Sequence, residues 1–218
     1  MSDAARWSDL RTRVISAVVM VVLAGLDIAS GGWIFVASVA ALCAVMLWEL
    51  SRMTRRDPVI GLVYAAAIVV AGVELIRLRG DGISQIFWLI LVVVASDVCG
   101  YFVGRLVGGP KFWPSVSPKK TWSGTIAGWI GAALVGLGFY LTGHASPLMV
   151  AMSPILAFAG QLGDIAESAI KRRAGVKDAS NLIPGHGGVL DRFDAMIGAV
   201  LAVVVAWLVL PLPIQMGG

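Results

Sequence analysis

Residues 83–106 read ISQIFWLILVVVASDVCGYFVGRL, and only Asp97 and Arg105 carry a charge in this stretch. A helix needs about 20 mainly apolar residues to cross a bilayer, and residues 83–106 meet that requirement. Hydrocarbon offers the backbone no hydrogen-bonding partner, so an apolar segment inside it is expected to be helical rather than an isolated strand. The stretch therefore predicts a transmembrane helix.

Apolar segments of this kind recur along the whole chain of 218 residues. Hydrophobic residues make up 58% and charged residues 14% of the sequence, and the mean hydropathy is +0.87. Soluble domains carry about 25% charged residues, so the sequence predicts an all-α, polytopic integral membrane helical bundle of about seven transmembrane helices. The predicted spans are approximately 14–29, 33–50, 59–78, 83–106, 122–142, 147–170 and 189–211.

A single membrane domain, residues 1–218, is the simplest organisation, because the sequence shows no linker, low-complexity segment or persuasive repeat. Residues 14–95 contain the amino-terminal spans, and residues 96–196 contain the polar motifs described below. Residues 197–218 contain the rest of the last span and the tail.

The basic residues are distributed unequally between the two ends of the predicted bundle. Of the 17 lysines and arginines, only Arg77 and Arg79 lie on the side opposite the amino terminus. Cytoplasmic connections carry the excess of basic residues, so the amino terminus is predicted to be cytoplasmic and, with seven spans, the carboxyl terminus to lie outside. His144, in an outer connection, is expected to be solvated and without function. The dispersed basic residues suit anionic lipids and do not indicate a nucleic-acid site.

Ionisable groups inside spans are costly, so each one is a candidate functional residue. Asp27, Glu49 and Glu74 lie near predicted span ends, where an interfacial or snorkelling position gives them a structural interpretation. Cys43 and Cys99 both fall inside predicted spans and are interpreted as small buried apolar residues.

Two sets of residues recur every four positions in the fourth predicted span. The polar set is Asp97, Tyr101 and Arg105, and the glycine set is Gly100, Gly104 and Gly108. On a helix the first set forms a polar stripe and the second a seam that lets another helix approach closely. An internal Asp97–Arg105 pair is the alternative to a functional stripe. The glycine seam suits either internal packing or a homodimer.

The connection before the fifth span contains SPKKTWSG, residues 117–124. Lysines and backbone amides at the amino terminus of a helix form a natural receptor for phosphate. Lys119 and Lys120 could equally be cytoplasmic charges that contact lipid headgroups. The motif alone leaves both interpretations open.

The sixth span ends in a polar helix face. Its members are Asp164, Glu167, Ser168, Lys171 and Arg172, spaced at i, i+3, i+4, i+7 and i+8. A salt-bridged packing face with a Glu167–Lys171 pair is the alternative interpretation, but it leaves Asp164 without a partner. A functional face is therefore favoured.

Residues 182–194, LIPGHGGVLDRFD, place a second polar group before the last span. Pro184 and Gly185 interrupt the helix, and Asp191 and Asp194 share a face at the start of the next one. The helix dipole accounts for Asp191 but not for Asp194, which lies one turn deeper. Carboxylates from two neighbouring helices suggest Mg²⁺, which commonly uses one or two carboxylates together with substrate phosphates.

Residues 168–194, SAIKRRAGVKDASNLIPGHGGVLDRFD, resemble the signature of the bacterial phosphatidate cytidylyltransferases, also called CDP-diacylglycerol synthases. Residues 96–105, SDVCGYFVGR, and residues 117–124 resemble other motifs of that family, in the same order. The resemblance covers about residues 96–196, and its longest block is far more specific than a lone glycine motif. Many members of the family have an acidic residue at Ser123 and a glycine at Ser180. The chain is also shorter at its amino end than many relatives.

The resemblance implies the conversion of CTP and phosphatidic acid into CDP-diacylglycerol and pyrophosphate, with Mg²⁺ required. It extends to a site in which a monovalent cation such as K⁺ accompanies the divalent ion. It implies CTP, phosphatidic acid and membrane lipids as partners. Together with the apolar spans and the distribution of basic residues, it predicts a multi-pass protein of the bacterial inner (cytoplasmic) membrane with the site facing the cytoplasm.

The polar faces, taken with this reaction, give each candidate residue an expected role. Asp164 and Asp191 are expected to reach one cation, with Asp97 and Asp194 in support. The expected catalytic residues are Asp97, Asp164, Lys171, Arg172 and Asp191. The expected substrate-binding residues are Arg105, Ser117, Lys119, Lys120, Thr121, Ser168, Lys177, Asp178, His186 and Arg192. The expected metal ligands are Asp164, Asp191 and Asp194.

Two other functional classes remain as alternatives. A CTP-dependent lipid-alcohol kinase would share the membrane, the nucleotide and the metal, but it would release CDP instead of pyrophosphate. A cation-coupled secondary transporter would place carboxylates near the membrane midplane and is expected to show inverted repeats. The polar residues instead concentrate at one predicted membrane face, which favours the nucleotidyltransferase.

Overall fold

The computed structural model describes residues 3–143 and 146–209, so His144 and the end of the last predicted span lie outside the described residues. Most of the described chain is helical. The helices are α1 (Asp3–Ser30), α2 (Gly32–Met53), α3 (Pro58–Asp81), α4 (Ile83–Leu106), α5 (Trp122–Leu141), α6 (Pro147–Arg173) and α7 (Leu190–Val209). Two short strands, β1 (Lys111–Trp113) and β2 (Ser117–Thr121), lie between α4 and α5.

Six of the described helices, α2 to α7, are long and apolar enough to cross a membrane. This confirms the predicted all-α, polytopic membrane class. The first predicted span differs from the others, because the apolar part of α1 is limited to Val14–Ser30. That segment is shorter than the roughly 20 residues that a span normally needs.

The bundle has an apolar core that α4, α6 and α7 share. Leu89, Leu156 and Val200, one from each helix, are completely buried in it. Large apolar side chains such as Leu62 and Leu134 are exposed on the outer surface. Apolar groups on both the inside and the outside of a helical bundle are expected where lipid, not water, surrounds it.

Helices α4 and α5 approach each other at glycines. A Cβ atom on Gly124 would lie 2.5 Å from the Gly100 carbonyl oxygen and 3.2 Å from the Gly104 Cα atom. The predicted glycine seam therefore packs inside the protein at Gly100 and Gly104, which accounts for it without a second copy of the chain. Gly108 is not part of the seam, because α4 ends at Leu106 and Gly108 has a φ of 66° in the loop that follows.

Helices α6 and α7 also touch through small residues. A Cβ atom on Gly160 would lie 3.0 Å from the Ala195 carbonyl oxygen, and one on Gly163 would collide with the Asp194 carbonyl oxygen. Only glycine allows the two backbones to come this close. The contact brings Asp164, the neighbour of Gly163, beside Asp194, so the packing of small residues positions charged ones.

A β-hairpin occupies the connection that the sequence predicted as a polar loop. Strands β1 and β2 pair antiparallel, with Lys111 opposite Thr121 and Trp113 opposite Ser117. The rings of Phe112 and Trp122 meet edge to face, with centroids 4.7 Å apart. The hairpin places Lys120, one of the two adjacent lysines of β2, beside Gln161 and Asp164 of α6.

Candidate active site

A cavity of about 830 Å³ lies between α4, the β-hairpin, α5, α6 and α7. Its wall combines carboxylates with lysine and arginine side chains. The predicted site residues that line it are Asp97, Arg105, Lys119, Lys120, Thr121, Asp164, Lys171, Asp178, Asp191, Arg192 and Asp194. The polar faces predicted on the fourth, sixth and seventh spans therefore meet at one place.

Five predicted site residues do not line this cavity. They are Ser117, Ser168, Arg172, Lys177 and His186. Ser168 still contacts the site indirectly, because its Oγ donates a hydrogen bond to Asp164 Oδ1 at 3.4 Å. Arg172 and Lys177 are exposed, and the His186 Nδ1 atom lies 3.4 Å from the carbonyl oxygen of its own loop's Pro184. Roles for these five residues stay predictions.

Three carboxylates converge in the structure: Asp164 and Glu167 from α6 and Asp194 from α7. One oxygen of each lies within 4.8 Å of the others. Glu167 is completely buried, and its Oε1 atom has no hydrogen-bond partner among the described residues. Carboxylates this close repel one another unless a cation or a proton compensates them. Three oxygen ligands from two helices are a suitable donor set for a hard divalent cation.

Asp191 is placed differently from the prediction that it joins Asp164 at one cation. The two aspartates line the same cavity, but Asp191 is not one of the three converging carboxylates. Its Oδ2 accepts hydrogen bonds from the backbone N–H groups of Gly188 at 2.7 Å and Ala179 at 2.9 Å. Its Oδ1 lies 2.6 Å from Lys171 Nζ. Three donor groups of the protein, two backbone N–H groups and the Lys171 ammonium group, thus already hold this carboxylate.

Lys171 joins the two parts of the site. The residue is 8% exposed and its ammonium group pairs with both Glu167 and Asp191. The predicted Glu167–Lys171 pair within α6 is therefore present. A lysine held between two buried carboxylates is compensated, whereas removing it would leave two anions close together.

Asp164 also has a cationic partner, contrary to the expectation that a salt-bridged face would leave it without one. Lys120 Nζ, from β2 of the hairpin, lies 2.5 Å from Asp164 Oδ2 and donates to the Gln161 carbonyl oxygen at 3.2 Å. Sequence spacing could not reveal this pair, because its members lie on different elements. Asp97, on α4, is exposed to the same cavity.

Gln161, a polar residue in the middle of α6, lines the cavity but was not among the predicted site residues. Its Nε2 donates to Ser96 Oγ at 3.2 Å and to the Thr125 carbonyl oxygen at 3.3 Å. Its Oε1 accepts from Trp129 Nε1 at 3.1 Å. These bonds tie α4, α5 and α6 together directly behind Lys120. A glutamine inside an apolar span was the signal that could have indicated it.

Glu49 does not extend outward as a snorkelling side chain would, and its partners could not be predicted from the sequence. The residue is completely buried, and it binds the hydroxyl group of Ser180 and the backbone N–H groups of Val189 and Leu190. Glu74 is buried as well and pairs with Arg77 at 3.2 Å, which agrees with its structural interpretation.

Comparison with known proteins places this site in a family. Residues 58–210 match the profile of the Cytidylyltransferase family, and this range contains the whole cavity wall. Glu49 lies before the matched range.

Curated relatives agree with the match. Brucella suis biovar 1 (strain 1330) has a protein named phosphatidate cytidylyltransferase that is 39% identical over 179 residues, covering 78% of this chain and 63% of the relative. A protein of the same name from Staphylococcus haemolyticus (strain JCSC1435) is 34% identical over 194 residues, covering 84% of this chain and 74% of the relative. The chain thus spans 63% of the length of the Brucella relatives that it matches. The chain therefore belongs to the Cytidylyltransferase family.

Proposed function

We propose that this protein is a phosphatidate cytidylyltransferase, which converts CTP and phosphatidic acid into CDP-diacylglycerol and pyrophosphate. The observation that carries the proposal is the convergence of Asp164, Glu167 and Asp194 beside Lys120 and Lys171. In a membrane protein of the Cytidylyltransferase family, this arrangement suits a reaction between two phosphate-bearing molecules, one of which is a lipid.

The reaction needs positioning and charge neutralisation more than it needs a protein nucleophile. An oxygen of the phosphatidate phosphate attacks the α-phosphorus of CTP, a P–O bond forms, and the bond to the leaving pyrophosphate breaks. Both reactants are anions, so the cationic side chains of the cavity lower the repulsion between them. Lys119, Lys120 and Arg192, which line the cavity, are the groups proposed to hold the phosphates.

The converging carboxylates fit a divalent cation, which we propose to be Mg²⁺. Asp164, Glu167 and Asp194 would hold it, and the unpartnered Oε1 atom of Glu167 supports this assignment. When bound, Mg²⁺ would neutralise phosphate charge and orient the triphosphate. Asp191 is proposed to hold Lys171 and the loop around the site, and Asp97 is available for a second, monovalent cation such as K⁺.

We propose that the cavity faces the cytoplasm from the bacterial inner membrane, in one membrane domain of residues 1–218. In the predicted topology, the hairpin, the loop after α6 and the amino-terminal end belong to the basic side. Arg77 and Arg79 lie on the other side, where Arg79 Nε donates to the Ile28 carbonyl oxygen at 2.6 Å. An opening on the basic side would receive CTP from the cytoplasm and phosphatidate from the inner leaflet.

The proposal is tested by incubating the purified protein in detergent with CTP, phosphatidate and Mg²⁺ and by measuring pyrophosphate. Pyrophosphate release that requires both substrates supports it, whereas release of CDP would indicate the lipid-alcohol kinase. Asp164→Asn should lower the rate at least about 100-fold, because it removes one of the converging carboxylates. Asp81→Asn, the same change at an exposed position at the far end of α3, is the matched control and should retain full activity.

A further inference from the structure

Glu49 is a buried carboxylate that reaches the site from the amino-terminal part of the chain. It lies on α2, is completely buried, and binds groups that follow it by 131 to 141 residues. A buried carboxylate is costly unless it is fully hydrogen-bonded. The groups that donate hydrogen bonds to Glu49 therefore indicate its role in the structure.

The partners of Glu49 are the start of α7 and the loop before it. The Ser180 hydroxyl group donates to Oε1 at 2.5 Å, the Val189 N–H donates to Oε1 at 2.9 Å, and the Leu190 N–H donates to Oε2 at 2.7 Å. The first N–H groups of a helix have no acceptor within the helix, and α7 begins at Leu190. Glu49 supplies the missing acceptor from another helix, at the end where the dipole favours negative charge.

Glu49 and Asp191 together accept the N–H groups of residues 188–190, where α7 begins. The Gly188 N–H donates to Asp191, and the next two N–H groups donate to Glu49. A Cβ atom on Gly188 would lie 2.6 Å from Glu49 Oε1, so the loop is pressed against the glutamate. Because α7 continues from this turn, holding the turn in place also restrains Asp194, which lies one turn further along α7.

We propose that Glu49 is a positioning residue for the reaction, a role that rests on the function proposed above. By holding the first turn of α7, it keeps Asp194 beside Asp164 and Glu167, and it keeps Asp191 against Lys171. The hydroxyl group of Ser180 completes this arrangement, because it ties the loop after α6 to the same carboxylate oxygen. Glu49 does not line the cavity, so its effect is transmitted through the backbone of α7.

The structural half of the proposal is tested without metal or substrate. Hydrogen–deuterium exchange is measured in detergent for wild type, Glu49→Gln and Glu74→Gln. Glu49→Gln keeps the volume but turns one acceptor into a donor that faces an N–H group, so exchange at residues 188–190 should accelerate at least about 10-fold. Glu74→Gln, a second buried glutamate on α3 that pairs with Arg77, should leave this segment at the wild-type rate. Unchanged exchange in Glu49→Gln would overturn the proposal.

The functional half is tested by following pyrophosphate release against Mg²⁺ concentration. Residues that orient metal ligands typically cost about 10–100-fold in metal affinity or activity when they are changed. Glu49→Gln should therefore raise the half-maximal Mg²⁺ concentration and lower kcat within that range. A loss of folded protein alone would lower the rate without moving the Mg²⁺ concentration. A half-maximal Mg²⁺ concentration and kcat within about twofold of wild type would overturn the positioning role.

Variants of Ser180, a partner of Glu49, test the positioning role if Glu49→Gln does not fold. Ser180→Ala removes one donor and should shift exchange and Mg²⁺ dependence in the same direction by about 3–10-fold, whereas Ser180→Thr keeps the hydroxyl group and should restore both. Wild-type behaviour of Ser180→Ala in both measurements would contradict the proposal. If wild type releases no pyrophosphate, the proposed function has failed, and the exchange measurement still judges the capping of α7 separately.

Discussion

Lys120 Nζ lies 2.5 Å from Asp164 Oδ2, so the β-hairpin between α4 and α5 is joined directly to the polar face of α6. The lysine compensates a carboxylate in the wall of the cavity. The pair links the two sequence motifs, SPKKTWSG and the block that follows Asp164, in one site.

Lys120→Met is expected to lower kcat/KM for CTP by about 10–100-fold, because a hydrogen bond to a charged group contributes about 1.5–3 kcal/mol. Steady-state pyrophosphate release checks this. Lys120→Arg should keep most of the activity, and Arg55→Met, on the exposed connection between α2 and α3, should leave it unchanged. Equal kcat/KM values for Lys120→Met and wild type would contradict a role of Lys120 in binding the nucleotide.

Lys171→Met is expected to destabilise the protein by about 3–5 kcal/mol, because it leaves Glu167 and Asp191 as buried anions without their shared cation. Thermal unfolding in detergent measures the loss. Lys177→Met, at an exposed position in the next loop, should change the stability by less than about 0.5 kcal/mol. The account of Lys171 is wrong if the two variants unfold at the same temperature.

Gly163→Ala is expected to destabilise the protein by about 1–3 kcal/mol, since the added Cβ atom would collide with the Asp194 carbonyl oxygen and force α6 and α7 apart. Gly138→Ala adds the same atom on α5 where no other atom lies within 4 Å, so it should be neutral or slightly stabilising. Unfolding temperatures of both variants provide the check. A neutral Gly163→Ala would show that the close approach of the two helices is unnecessary.

Glu167→Gln is expected to raise the half-maximal Mg²⁺ concentration by about 10-fold or more, because it removes one negative ligand from the converging carboxylates. The measurement is pyrophosphate release over a range of Mg²⁺ concentrations, with Glu74→Gln as the matched control. If only Asp191→Asn shifts the Mg²⁺ dependence and Glu167→Gln does not, Asp191 is the ligand that the sequence motif suggested.

The long helices were predictable because a run of about 20 apolar residues has few alternatives in a bilayer. The polar faces of α4, α6 and α7 followed from helical periodicity, and they do line one cavity. Periodicity could not decide which carboxylates converge. That choice depends on how α6 and α7 are rotated against each other, which the close contacts at their small residues determine. In the structure Glu167 belongs to the three converging carboxylates, and Asp191 does not.

Contacts between distant segments were not predictable from spacing. The hairpin has strands of three and five residues, too short for a clear alternating pattern. Glu49 resembled an ordinary residue at a span end, because its partners follow it by more than a hundred residues. Lys120 was a candidate phosphate ligand in the sequence, whereas its pairing with Asp164 required the folded chain.

Transfer of a cytidylyl group to phosphatidate is tested most directly with labelled CTP. Purified protein is given phosphatidate, Mg²⁺ and CTP labelled with ³²P at either the α- or the γ-phosphate, and the lipid is then extracted. The account predicts that the α-label enters the lipid and that the γ-label leaves as pyrophosphate. Transfer of the γ-label to lipid, or no label in lipid from either nucleotide, would contradict it.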